Sequence, residues 1–131
     1  MLQGHIDKYK LLEIKGSGTF GTVWLAEDTW IGKKVALKIP HNQKEEFTTL
    51  VAEPKLLASL DHKNIVQILT VDKAENIFFM VMEYVDGFNL AQLMKETSLS
   101  LKEVIEIIVQ ILSALQYAHE KNIIHRDLKL P

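Results

Sequence analysis

Apolar and polar positions alternate with a period of two early in the chain, give way to helical spacing, return to alternation, and end in a long helical stretch. Residues 9–14 (Tyr9-Lys10-Leu11-Leu12-Glu13-Ile14) read as a strand running into glycines. Residues 22–27 read as a second strand, with Val23 and Leu25 two apart on one face. Residues 28–33, with Gly32, predict a turn, and residues 34–39 predict a third strand rich in β-formers and closed by Pro40. These three strands are consecutive, and an antiparallel arrangement is expected. Residues 44–60 predict a helix, with Leu56, Leu57 and Leu60 at helical spacing. Strands 66–71 and 77–83 follow, joined through Asp72-Lys73-Ala74-Glu75-Asn76. Asp86-Gly87 breaks the pattern, and residues 90–95 predict a short helix. Ser100-Leu101-Lys102-Glu103 has the form of a capping box and opens the longest helix, residues 101–121.

The polar residues of that last helix (Lys102, Glu103, Glu106, Gln110, Ser113, Glu120) form a narrow stripe, and the remainder is mostly Val, Ile, Leu and Ala. A helix apolar around most of its girth belongs inside a domain, and little sequence follows to cover this one. The expected organisation is a sheet domain over residues 1–84 and the first helices of an incomplete helical domain over residues 85–131. Composition adds bounds. A chain of 131 residues, 47% apolar and 24% charged, has the make-up of a soluble globular protein. A net charge of −2 gives no global field to recruit nucleic acid or an anionic membrane. The absence of cysteine excludes disulfides and zinc-thiolate sites and fits a reducing compartment. Met1-Leu2-Gln3-Gly4-His5 lacks the basic-then-apolar order of a signal peptide. The greasiest run, residues 104–115, is interrupted by Glu106 and Gln110 and is too short for a bilayer, so no membrane segment is expected.

Candidate chemistry begins at Gly16-Ser17-Gly18-Thr19-Phe20-Gly21. Dinucleotide-binding folds use the same glycine spacing, but there the third glycine leads into a helix. Here it leads into an alternating strand, which fits a hairpin lying over phosphates, although an ordinary tight hairpin carries such glycines too. Lys38 sits mid-strand in Val35-Ala36-Leu37-Lys38; taken alone it is a solvated charge, and its place after the glycine hairpin makes it a candidate phosphate partner. The chain closes on His125-Arg126-Asp127-Leu128-Lys129. His5, His41, His62 and His119 show no paired spacing suited to a metal and read as surface or structural residues.

These motifs, in this order, resemble the protein kinases, most closely the bacterial serine/threonine type, over residues 9–129. The resemblance implies an α+β kinase-like fold: a five-stranded antiparallel sheet with one regulatory helix, followed by the first helices of an incomplete helical lobe. It implies ATP as phosphoryl donor, with Mg²⁺, and a protein serine or threonine as acceptor. Gly16, Ser17, Gly18, Thr19, Phe20 and Gly21 would cover the phosphates, and Lys38 would pair with the α- and β-phosphates. Val23 and Ala36 would bracket adenine. Glu53 would orient Lys38, with Pro54 placing the helix start at residue 54 or kinking the helix there. Met82 would be the gatekeeper, Glu83 and Val85 would offer their backbone to adenine, and Asn89 stands where a ribose contact often falls. Asp127 would accept or orient the acceptor hydroxyl, and Lys129 would neutralise charge on the γ-phosphate.

The end of the chain departs from the family pattern. Leu130-Pro131 stand where a Pro-x-Asn sequence is expected, and the Asp-Phe-Gly aspartate is absent, so the magnesium-holding residues are missing from this chain and no metal ligand is assigned. The expectation is a kinase fragment, catalytically dead or nearly so by itself and at best a weak nucleotide binder, working in the cytoplasm with a protein substrate that the sequence does not specify. Two other readings stay open: a nucleotide-binding pseudokinase lobe, or an interaction module self-associating through Ile105, Ile108, Leu112 and Leu115.

Overall fold

The computed structural model describes residues 4–124 and residue 128. The chain divides into two compact units, one built from residues up to Asp61 together with Val66–Tyr84, the other from His62–Ile65 together with the residues from Val85 onward.

The first unit is a sheet with one helix. Its strands are β1 (His5–Ile6), β2 (Tyr9–Ser17), β3 (Gly21–Asp28), β4 (Lys33–Pro40), β5 (Ile68–Ala74) and β6 (Ile77–Glu83), with α1 (Phe47–Ala58) between β4 and β5. The strands hydrogen-bond in the order β1-β2-β3-β4-β6-β5, and every neighbouring pair is antiparallel. The sheet thus has six described strands rather than the expected five. The extra one, β1, pairs only His5 with Lys10 and Ile6 with Tyr9, which is too short to show an alternation in sequence. Turn chemistry closes the hairpins. Gly32 has φ +65° before β4, and Glu75 and Asn76 have φ +51° and +64°, the two-residue turn whose twist suits a β-hairpin.

Residues directly opposite in an antiparallel sheet share a face. On one face Ala26, Val35, Leu37, Phe79 and Val81 form the buried core with Ile6 and Tyr9. The Tyr9 and Phe79 rings meet edge to face with centroids 5.8 Å apart. Because β3 and β4 lie between the strands carrying those rings, the sheet must curl to bring them together. Two register shifts in β2, between Leu11 and Glu13 and between Ile14 and Gly16, add local twist. α1 packs against β5 and β6, where the Phe47 ring meets Phe78 at 5.8 Å. Of the two alternatives expected at Pro54, a helix start there is overturned: the helix runs through Pro54, which is buried in its interior. The proline has no N–H for the Leu50 carbonyl.

The second unit holds α2 (Leu90–Glu96) and α3 (Leu101–Glu120). Both open on reciprocal caps, Asn89 with Gln92 and Ser100 with Glu103. Residues 62–65 pack along α3. The Asn64 side-chain amide donates to Gln110 Oε1 (3.2 Å), and the His62 and Tyr117 rings lie 5.2 Å apart. His62 Nδ1 accepts the Asn64 backbone N–H at 3.0 Å, so in the neutral ring Nε2 carries the proton and donates to the Ser113 hydroxyl, 3.2 Å away. Along α3, Val104, Ile107, Ile111 and Ala118 are half-buried or buried, whereas Leu101, Ile105, Ile108, Val109 and Leu112 are exposed. Among the described residues, no helix is long and apolar enough to cross a membrane.

Candidate functional site

The glycine hairpin joins β2 to β3. Gly16 stands opposite Val23 and Ser17 opposite Thr22. The Gly18 N–H donates to the Gly21 carbonyl at 3.0 Å, and the Ser17 and Thr22 hydroxyls are 3.3 Å apart. Thr19 and Phe20 are left at the tip, with Phe20 exposed. The three glycines meet different surroundings. A Cβ on Gly21 would lie 2.5 Å from the Ile39 carbonyl oxygen and 2.9 Å from Pro40 Cα, so only glycine fits between β3 and β4 there. A Cβ on Gly16 or Gly18 would meet nothing within 4 Å. That open space lets another molecule approach the loop backbone closely.

Lys38 lies on the sheet beside this hairpin. It is half-buried and stands opposite Val23 on one side and Met80 on the other; Ala36 stands opposite Leu25 and Met82. Val23, Ala36, Lys38, Met80 and Met82 therefore share one face, with the ammonium-bearing chain set among apolar neighbours. Glu53, on α1, is exposed, and among the described residues no ion pair joins it to Lys38.

β6 ends at Glu83, whose backbone N–H donates to the Gln67 carbonyl at 2.9 Å while its Oε1 accepts the Gln67 N–H at 2.9 Å. The Glu83 N–H is thus committed within the sheet unit. In the second unit, Val85 is exposed, and the Asn89 side chain accepts the Gln92 N–H at 2.8 Å as the cap of α2. His125, Arg126, Asp127 and Lys129 lie outside the described residues.

Sequence reasoning passed over two residues that hold this region together. The pairing of β4 with β6 stops at Lys38 opposite Met80; β4 itself ends at Pro40, and a proline cannot donate to the ladder. The Gln43 carboxamide takes that place. It donates to the Pro40 and Phe78 carbonyls (2.7 and 3.1 Å) and accepts the Phe78 N–H (2.7 Å). His41, between them, donates its backbone N–H to the Phe20 carbonyl at 3.0 Å, and its Nε2 lies 2.8 Å from the Gly18 carbonyl. A proline closing a strand is the one sequence signal that a substitute donor is needed.

Comparison with known proteins bears on the same residues. The protein kinase domain family matches residues 9–131. The chain is 37% identical over 127 residues to the serine/threonine-protein kinase PrkC of Bacillus subtilis, covering 93% of this chain and 20% of that protein. It is 40% identical over 129 residues to the "Probable serine/threonine-protein kinase PknB" of Lactococcus lactis, covering 94% of this chain and 21% of that protein. It is 37% identical over 128 residues to the cyclin-dependent kinase F-4 of Oryza sativa, covering 95% of this chain and 28% of that protein. The chain spans between a fifth and just over a quarter of the length of these relatives. With a glycine hairpin and a strand lysine on one antiparallel sheet, and a family match over nearly its whole length, the chain belongs to the protein kinase domain family.

Proposed function

We propose that this chain works within a protein serine/threonine kinase, binding ATP for transfer of its γ-phosphoryl group to a protein hydroxyl. The observation that carries this reading is the register that sets Lys38 on the same face as Val23, Ala36 and Met82, beside a glycine hairpin with open space at Gly16 and Gly18. Adenine packs against Val23 and Ala36, with Met82 limiting the depth of its pocket. The Glu83 carbonyl and the Val85 backbone meet its edge, and Asn89 is assigned to the ribose. N–H groups of residues 16–21 not used inside the hairpin and the Lys38 ammonium hold the phosphates, with Glu53 orienting Lys38 once the nucleotide is in place. Asp127 accepts the acceptor hydroxyl's proton as its oxygen bonds to the γ-phosphorus and the bond to the β-phosphate oxygen breaks; Lys129 offsets the charge on the transferring group. Among the described residues, no group of three acidic or histidine side chains is gathered to hold a metal, so no step is assigned to magnesium. The reading carries a cytoplasmic location, where cells keep ATP. The interaction-module and pseudokinase readings are not favoured by a family whose matched relatives are named as kinases.

The test uses the full-length protein with radiolabelled ATP and a generic protein acceptor. Lys38→Met is expected to weaken nucleotide binding at least tenfold, and Asp127→Asn to cut transfer by about 10²-fold or more with nucleotide affinity nearly unchanged. Transfer that survives Asp127→Asn, or nucleotide affinity indifferent to Lys38→Met, would overturn the assignment.

A further inference from the structure

We propose that His41 is a positioning residue that ties the tip of the glycine hairpin to the strand carrying Lys38. The inference rests on the nucleotide-binding reading above for its consequence, but not for its geometry.

The hairpin has little packing to hold it. Residues 12–20 are all exposed, and a Cβ on Gly16 or Gly18 would touch nothing. The Gly18–Gly21 and Ser17–Thr22 bonds lie inside the hairpin, so they fix its shape and not its lean. Among the described residues, two bonds come from outside it at the tip, and both come from His41: backbone N–H to Phe20 and ring to Gly18. A carbonyl oxygen only accepts, so the Nε2 atom facing Gly18 must carry the hydrogen. Protonating the ring leaves a hydrogen on Nε2, so the tie holds in either charge state. His41 is three residues beyond Lys38, and its own position is set by Gln43, which fastens this segment to β6 through Pro40 and Phe78. The hairpin tip is thereby registered against the strand that presents the lysine. A side chain exposed to solvent and donating to a loop carbonyl across 23 residues contributes positioning rather than core stability.

The experiment compares wild type, His41→Leu and His41→Gln in the full-length protein. Glutamine places an amide N–H where Nε2 stands, and leucine keeps bulk without a donor. Amide hydrogen exchange of residues 17–22 without ligand reads the tie itself. Affinity for a non-hydrolysable ATP analogue reads its consequence. His41→Leu is expected to speed exchange across the tip about three- to tenfold and to weaken analogue binding by a similar factor. It should leave the thermal midpoint within a degree or two, and His41→Gln should restore both readouts. Unchanged exchange in His41→Leu sinks the proposal, and so does failure of glutamine to restore it. If exchange responds as expected while wild type fails to bind the analogue, the tie stands and the nucleotide reading fails instead.

Discussion

Gly18 and Gly21 lie three residues apart in one hairpin, yet a methyl group at each would meet different surroundings. At Gly21 it would press on the backbone of Ile39 and Pro40, which cannot rotate away. Gly21→Ala is expected to destabilise the protein by about 1–3 kcal/mol, read as a lower denaturant midpoint. Gly18→Ala has room, so stability should stay within about 0.5 kcal/mol while nucleotide affinity falls severalfold. Equal stability losses in the two variants would contradict the separation of a packing glycine from a ligand-facing one. The hairpin at the glycines and the mid-strand place of Lys38 were legible in the sequence, because each stands in a local pattern with a mechanical reason. His41 and Gln43 were not. Their bonds to Gly18 and Phe78 cross 23 and 35 residues, and nothing local distinguishes them from other surface polar residues.

At the scale of elements, α1 departs most from its sequence signal. It spans Phe47–Ala58 rather than 44–60, its leading residue Glu46 makes no side-chain cap bond, and Pro54 sits inside it. An interior proline costs about 3 kcal/mol through the lost N–H and the clash with the preceding turn. Burial of the ring recovers about 1 kcal/mol of that. Pro54→Ala is therefore expected to raise stability by about 1–2 kcal/mol and to increase far-UV helical signal. A lower denaturant midpoint would show that ring packing outweighs the missing bond. The long strands and the two capped helices were readable, since alternation and Ser100-x-x-Glu103 declare themselves locally. The two-residue β1 was not, and neither was the docking of residues 62–65 along α3, which depends on partners about fifty residues away.

For the molecule as a whole, one ion pair in the sheet unit contributes to how stability varies with pH. Lys8 Nζ lies 2.9 Å from Asp28 Oδ2, tying the turn before β2 to the end of β3, and the Trp30 N–H donates to Asp28 Oδ1 at 3.0 Å. The Asp28 carboxyl is held below its ordinary value of 3.8, chiefly by the Lys8 hydrogen bond, despite its burial. The Lys8 ammonium is held above its ordinary 10.5 by the same bond. A lowered carboxyl stabilises above the unfolded value and loses that contribution as pH falls through the folded one. A raised ammonium stabilises below its unfolded value and loses it as pH rises through the folded one. The pair contributes fully between those two ordinary values. Asp28→Asn should flatten the acid limb of a plot of denaturant midpoint against pH; an acid limb as steep as wild type would place the sensitivity elsewhere.

The two register shifts in β2 carry a consequence beyond twist. Past the short pairing with β1, this strand forms an outer border of the sheet, where a regular row of unpaired amides and carbonyls would template another chain's backbone into fibrils. Each irregularity interrupts that row, and Lys15, inside the second of them, adds a charge. The hairpin can therefore stay uncovered without inviting intermolecular zippering.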